Sequence, residues 1–221
     1  MLSVKQKVTA LAESLHGYEV GEAVKTRAFW MLVVAQVAWG LSATAVAIHL
    51  VAYLTGIGYT LRFATIAYGV LAGMAALGKP TMGVLADRIG GKNALGIALI
   101  LIAGSNILVL GAGHEWLIVL YLLVGGISIA APGALVPLVL ANMCGLRRFG
   151  TLYGWIQGCV TLGLFGGPLV AGRLYDLTHS YTTSFELASL IAVAGAVAGF
   201  LCVAPRPVGL VTLSQPQGST A

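Results

Sequence analysis

Six long apolar stretches separated by short polar ones occupy most of the chain, at residues 29–54, 61–86, 94–111, 116–142, 152–174 and 185–203. A helix needs about 20 residues to cross a hydrocarbon core of about 30 Å. The ten-residue alternation of membrane barrel strands is absent. The pattern therefore predicts an all-α polytopic membrane protein of six transmembrane helices, each satisfying its own backbone hydrogen bonds in lipid. Ahead of the first span, Val4, Val8, Leu11 and Leu15 recur at helical spacing among Lys5, Lys7 and Glu13. That is the pattern of a short amphipathic helix lying on a membrane surface, not the continuous apolar core of a signal peptide. Residues 1–28 are read as this cytoplasmic lead-in, 29–204 as one six-helix domain, and 205–221, rich in Pro, Ser, Gln and Thr, as a disordered cytoplasmic tail.

Composition narrows the class further. Of 221 residues, 58% are hydrophobic and 9% charged, and the mean hydropathy is +0.94, whereas a soluble domain carries roughly 25% charged residues. Aqueous enzymes and disulfide scaffolds are excluded. The net charge of +5 is explained by topology. Lys5, Lys7, Lys25, Arg27, Arg88, Lys92, Arg147, Arg148 and Arg206 all fall on one side of a six-span layout, against Arg62 and Arg173 on the other. By the positive-inside rule both termini are cytoplasmic, and no nucleic-acid partner is needed to account for the basicity. Cys144, Cys159 and Cys202 form no C-x-x-C pair. The strings Gly126-Ile127-Ser128-Ile129-Ala130 and Gly40-Leu41-Ser42-Ala43-Thr44 lack the second glycine of a serine-nucleophile motif, and no H-E-x-x-H helix is present. No enzyme activity, metal or cofactor is expected.

The most informative segment joins the second and third spans: Gly83-Val84-Leu85-Ala86-Asp87-Arg88-Ile89-Gly90-Gly91-Lys92. Glycines allow a tight turn at the membrane surface, Asp87 is placed to accept hydrogen bonds from a neighbouring helix N-terminus, and Arg88 and Lys92 face an anionic leaflet. This stretch resembles the G-x-L-a-D-r-x-G-x-k signature of the major facilitator superfamily, which follows the second span of each six-helix half. Residues Gly163 to Asp176 and the following Ser180-Tyr181-Thr182 resemble the penultimate helix and its exit, and Glu22 to Trp30 resembles the lead into the seventh helix. The resemblance implies the C-terminal six-helix half of a twelve-helix carrier. The chain is then either a fragment of such a carrier or a six-span protein that pairs with a second protomer; a non-transporting assembly subunit is the alternative.

Lys79 sharpens the expectation. Gly78-Lys79-Pro80-Thr81-Met82-Gly83 is similar to the Arg-Pro-x-x-Gly stretch of monocarboxylate and oxalate/formate-type carriers, with Lys79 in place of the arginine. Eight residues separate it from Asp87, a depth of about 12 Å. An intramembrane lysine costs roughly 2.5–3.5 kcal/mol on insertion scales, so it is expected to face a cavity or a counter-charge. The family likeness implies a substrate carboxylate, although the acidic residue that proton-coupled members carry four positions earlier is Ala75 here. His49 and Gln157 are weaker candidates to line the same cavity. Gly150, Gly154 and Gly158, then Gly163, Gly167 and Ala171, are expected to let helices approach closely, and Pro80, Pro132, Pro137 and Pro168 to bend them. The implied function is alternating-access carriage, of the antiporter kind, of a small organic anion across a bacterial inner membrane, with lipid and the other six-helix half as partners.

Overall fold

The computed structural model describes residues 17–202, and all six expected spans within them are helical. They are α1 (Arg27–Gly56), α2 (Leu61–Ile89), α3 (Gly91–Leu108, continued by a 3-10 turn Val109–Gly111), α4 (Glu115–Ile129) with α5 (Ala131–Cys144), α6 (Phe149–Thr178) and α7 (Thr182–Leu201). The connections are short and alternate between two ends. One end carries Gly17 and Cys202, the first and last described residues, with Arg88, Lys92, Arg147 and Arg148, and is called the basic end below. The described residues contain no strand; the fold is an all-α bundle of six membrane spans.

The fourth span departs from the expected single helix. It breaks at Ala130, where α4 ends and α5 begins with Pro132 in its first turn. Proline has no N–H for the carbonyl one turn back but is well tolerated at a helix start. Pro80, Pro137 and Pro168 instead lie within uninterrupted helices. The second span runs longer than expected, to Ile89, so Asp87 and Arg88 sit on its last turn and the link to α3 is Gly90 alone. Its φ of +88° is left-handed backbone that glycine adopts without a Cβ penalty.

The lead-in is described only from Gly17. Residues 1–16, on which most of the expected amphipathic helix falls, and 205–221, the expected disordered tail, lie outside the described residues. Gly17 forms an antiparallel bridge with Gly145, and Tyr18 N–H donates to the Cys144 carbonyl at 2.9 Å. Glu19 pairs with Arg147 at 2.9 Å and Arg148 at 3.2 Å. A one-turn helix, Val20–Ala23, follows, and the Thr26 hydroxyl caps α1 by accepting from Phe29 N–H at 3.3 Å.

Packing places α1 against α6 and α7, α7 against α3, and α2 against α4. In the most apolar stretch of α2 only 22% of residues are buried, and in that of α6 28%, against 44–56% for the other four spans. Those two helices therefore form the open face of the bundle. Two apolar clusters fill the interior. One, towards the basic end, includes Leu32, Leu99, Leu135 and Ile156; the other includes Leu50, Leu71, Ile118 and Phe185. Near the middle, Asn106 donates to Ser42 at 2.9 Å and Ser189 to the Ala103 carbonyl at 2.8 Å, side-chain ties of the kind that join membrane helices where packing alone gives no preference.

Half of the expected glycine seam is realised. A Cβ on Gly163 would sit 2.6 Å from the Val37 carbonyl, and one on Gly167 would collide with that of Leu41, so these positions allow α6 to lie directly on α1. Gly150, Gly154 and Gly158 do not serve this purpose here. Nothing approaches them, and with Trp155, Cys159 and Leu162 they line a shallow groove of about 430 Å³ on the open face. Equal spacing produced one packed stripe and one bare stripe because the five-residue step from Gly158 to Gly163 puts the two sets on opposite sides of α6.

Candidate functional site

Lys79 is exposed on α2, ten residues before the helix ends at Ile89, a depth of about 15 Å from the basic end. Helical side chains tilt towards their own N-terminus. Because α2 runs towards the basic end, the lysine stem by default leads away from it, opposite to the direction snorkelling requires. Its neighbour Gly78 is buried where α2 crosses α4, so tightly that a Cβ would collide with the Ile127 carbonyl. From α1, the Trp39 indole N–H donates to the Ile129 carbonyl at 2.8 Å. Lys79 thus lies beside the break between α4 and α5.

His49 is half-buried and held inside the bundle. Its Nε2 lies 3.1 Å from the Pro168 carbonyl and Nδ1 3.4 Å from the Tyr181 hydroxyl. A carbonyl only accepts, so Nε2 carries the hydrogen and Nδ1 takes the hydroxyl's. Burial first, then Tyr175 and Asp176, raise the pKa of Tyr181 above the ordinary tyrosine value, which keeps it a neutral donor. One turn earlier on α1, the Thr44 hydroxyl is shared between the Gly40 carbonyl of its own helix at 2.5 Å and, at 3.2 Å, the Leu164 carbonyl, the group that Pro168 leaves without an in-helix N–H. Thr44 therefore brings a donor to the carbonyl that Pro168 orphans, and His49 ties α1 to α6 one turn further along.

Gln157 is half-buried on α6, eight residues past Phe149, and Gln36 is 1% exposed on α1. The side-chain oxygen of each is buried without a hydrogen-bond partner among the described residues. Within the loop motif, Ala86 is buried, Gly83 and Lys92 are half-buried, and Asp87, Arg88 and Gly90 are exposed. Asp87 makes no hydrogen bond or ion pair with the described residues, so the anticipated contact with a neighbouring helix N-terminus is not made within this bundle. Lys92 lines a cavity of about 140 Å³ with Gly91, Val139, Asn142, Met143 and Cys202. The described residues contain no cluster of His, Cys, Asp or Glu able to hold a metal.

Sequence reasoning missed the roles of Gly78 and Trp39, which tie α2 and α1 to the end of α4. The available signal was the glycine directly before an intramembrane lysine, which marks a close helix crossing, but nothing in the chain named the helix crossed.

Six apolar helices, charges confined to their ends and one lysine at depth define an integral membrane protein. Residues 28–219 match the Major Facilitator Superfamily, and the chain belongs to that superfamily. It is 29% identical over 131 residues to "Tetracycline resistance protein, class B" of Escherichia coli, covering 57% of this chain and 32% of that protein. It is 27% identical over 123 residues to "Monocarboxylate transporter 6" of Homo sapiens, covering 54% and 24%. The matched stretch thus spans less than a third of either relative's length.

Proposed function

We propose that this chain is one six-helix half of a secondary carrier for a small organic anion, with the solute held between halves and released by alternating access. The observation that carries the reading is Lys79: a cation about 15 Å deep, on the open face, with no acidic partner on its helix before Asp87. A carried carboxylate supplies the counter-charge only while bound. The relative named as a monocarboxylate transporter supports that class. The relative named for tetracycline resistance supports a second reading, in which the solute is not a simple carboxylate.

In this proposal the bare faces of α2 and α6 are covered by another six-helix half or a second copy, and Asp87 finds its helix-end partner there. His49 serves as a bridge between α1 and α6. Gln157 lines the cavity only in an access state that rotates α6 outward. The basic end faces the cytoplasm of a bacterium, with the spans in its inner membrane.

Calorimetric titration of the purified chain with lactate, oxalate and related anions tests the assignment. Lys79→Gln is expected to abolish binding while the protein stays folded, and Lys79→Arg to retain part of it because the charge remains. Undiminished affinity in Lys79→Gln would remove the anion.

A further inference from the structure

In the interior of the bundle, α1, α3 and α4 meet around a small polar cavity that the reading of Lys79 does not use. Ala43, Ser105, Asn106, Tyr121 and Gly125 line it, together with Ile129 at the end of α4. Ser105, Asn106 and Tyr121 are 2%, 3% and 2% exposed, so bulk water does not solvate them. Their hydrogen-bonding capacity is only partly used. Ser105 donates to the Ile102 carbonyl at 2.9 Å, and Asn106 donates one N–H to Ser42 at 2.9 Å. The Asn106 side-chain oxygen, its second N–H and the Tyr121 hydroxyl make no hydrogen bond with the described residues. Buried polar groups in native structures are nearly always satisfied, by protein or by ordered water.

The size of the cavity selects its guest. It leaves about 10 Å³ to the centre of a water-sized sphere, and one water needs about 10–15 Å³ in that measure. A carboxylate or an amine does not fit. We infer that a single water molecule is bound between α3 and α4 here, donating to Asn106 Oδ1 and Ser105 Oγ and accepting from the Tyr121 hydroxyl. Three bonds are the usual complement of a buried water. The Asn106–Ser42 bond already joins α3 to α1, and the water extends that tie to α4, two turns before its end at Ile129. A bridge through water is nearly as favourable as a direct bond and re-forms after small shifts of its walls, so α4 is held to its neighbours without being locked to them. This water is independent of the solute and of the charge at Lys79.

Radiolytic labelling of the full chain in lipid nanodiscs tests this. A brief X-ray pulse turns water into hydroxyl radicals where it stands, so a buried ring is oxidised only if water is bound against it. Tyr121 should be labelled in spite of its burial, and Phe185, fully buried beside the rings of Tyr53 and Tyr181, should not. Gly125→Ala fills the cavity from α4, with a Cβ 3.2 Å from Ser105 Oγ. Ala43→Cys fills it from α1, so the second variant guards against a misfolded first. In both, labelling of Tyr121 is expected to fall to the level of Phe185. A Tyr121 as silent as Phe185 in the wild-type chain overturns the water site. Labelling that persists at the wild-type rate in both variants overturns it too, because the water then lies elsewhere.

Discussion

At the scale of single residues, Pro168 and its surroundings show why polar side chains sit where they do on α1. Proline removes one N–H from the ladder of α6, and Thr44 brings a hydroxyl to the carbonyl left over. Interhelical hydrogen bonds in membranes are worth on the order of 0.6 kcal/mol, up to about 1.7. Thr44→Val should therefore lower stability by about that much in a wild-type background. In a Pro168→Ala background the cost should shrink towards zero, because alanine restores the donor within α6. Unfolding of the four proteins in mixed micelles gives the cycle; equal costs in the two backgrounds would show that Thr44 does not serve the proline. The same geometry changes the standing of His49. Histidine in an outer apolar turn is compatible with a ligand or with a helix tie, and only the distance to the Pro168 carbonyl separates the two.

At the scale of helices, the glycines of α6 divide by what faces them. A Cβ at Gly163 or Gly167 runs into the α1 backbone, which has no side-chain freedom to yield. At Gly154 and Gly158 it meets open space. Gly163→Ala and Gly167→Ala should destabilise the isolated chain by about 1–3 kcal/mol, the range for overpacking. Gly154→Ala and Gly158→Ala should be neutral or slightly stabilising, since alanine is the better helix former. Denaturation in detergent checks this, and equal losses at all four sites would contradict the packing described. The four-residue spacing was plain in the sequence, but spacing fixes only which side chains share a stripe. Which stripe meets α1 depends on the crossing of two helices more than a hundred residues apart in the chain. The break at Ala130 was hidden for a similar reason. Pro80, Pro132 and Pro168 look alike as bends, and what becomes of each depends on donors from elsewhere, such as Trp39 for the Ile129 carbonyl.

At the scale of the whole molecule, the six spans and the superfamily were legible, because apolar length and the Gly83–Lys92 signature are local properties. The depth of Lys79 was legible from residue counting alone. What packs beside it was not, since the approach of Gly78 to Ile127 and the bond from Trp39 to Ile129 arise only through tertiary packing. Orientation is still a matter of charge: the ion pairs of Glu19 with Arg147 and Arg148 gather lead-in and loop at one end, and the proposed cytoplasmic placement of that end rests on the positive-inside rule. Single cysteines at Ser3, Gly113 and Gln215, placed in a chain lacking the native three, test this by labelling with a membrane-impermeant thiol reagent. Only Gly113 should react from outside. External labelling at Ser3 or Gln215 would reverse the topology.

Gly90 bears on how such a molecule is made. With one residue between α2 and α3, the two helices form a tight hairpin whose insertion energies add. α2 is among the least apolar of the six spans and α3 is the most apolar. Eight Leu and Ile residues in α3 favour insertion by roughly 2.4–4.8 kcal/mol together on the biological scale, about the amount that one central lysine opposes. The hairpin lets the more greasy arm carry the reluctant one across. A charge in α2 is thus offset by its neighbour in the hairpin, and any insertion that lengthened the turn would loosen that coupling.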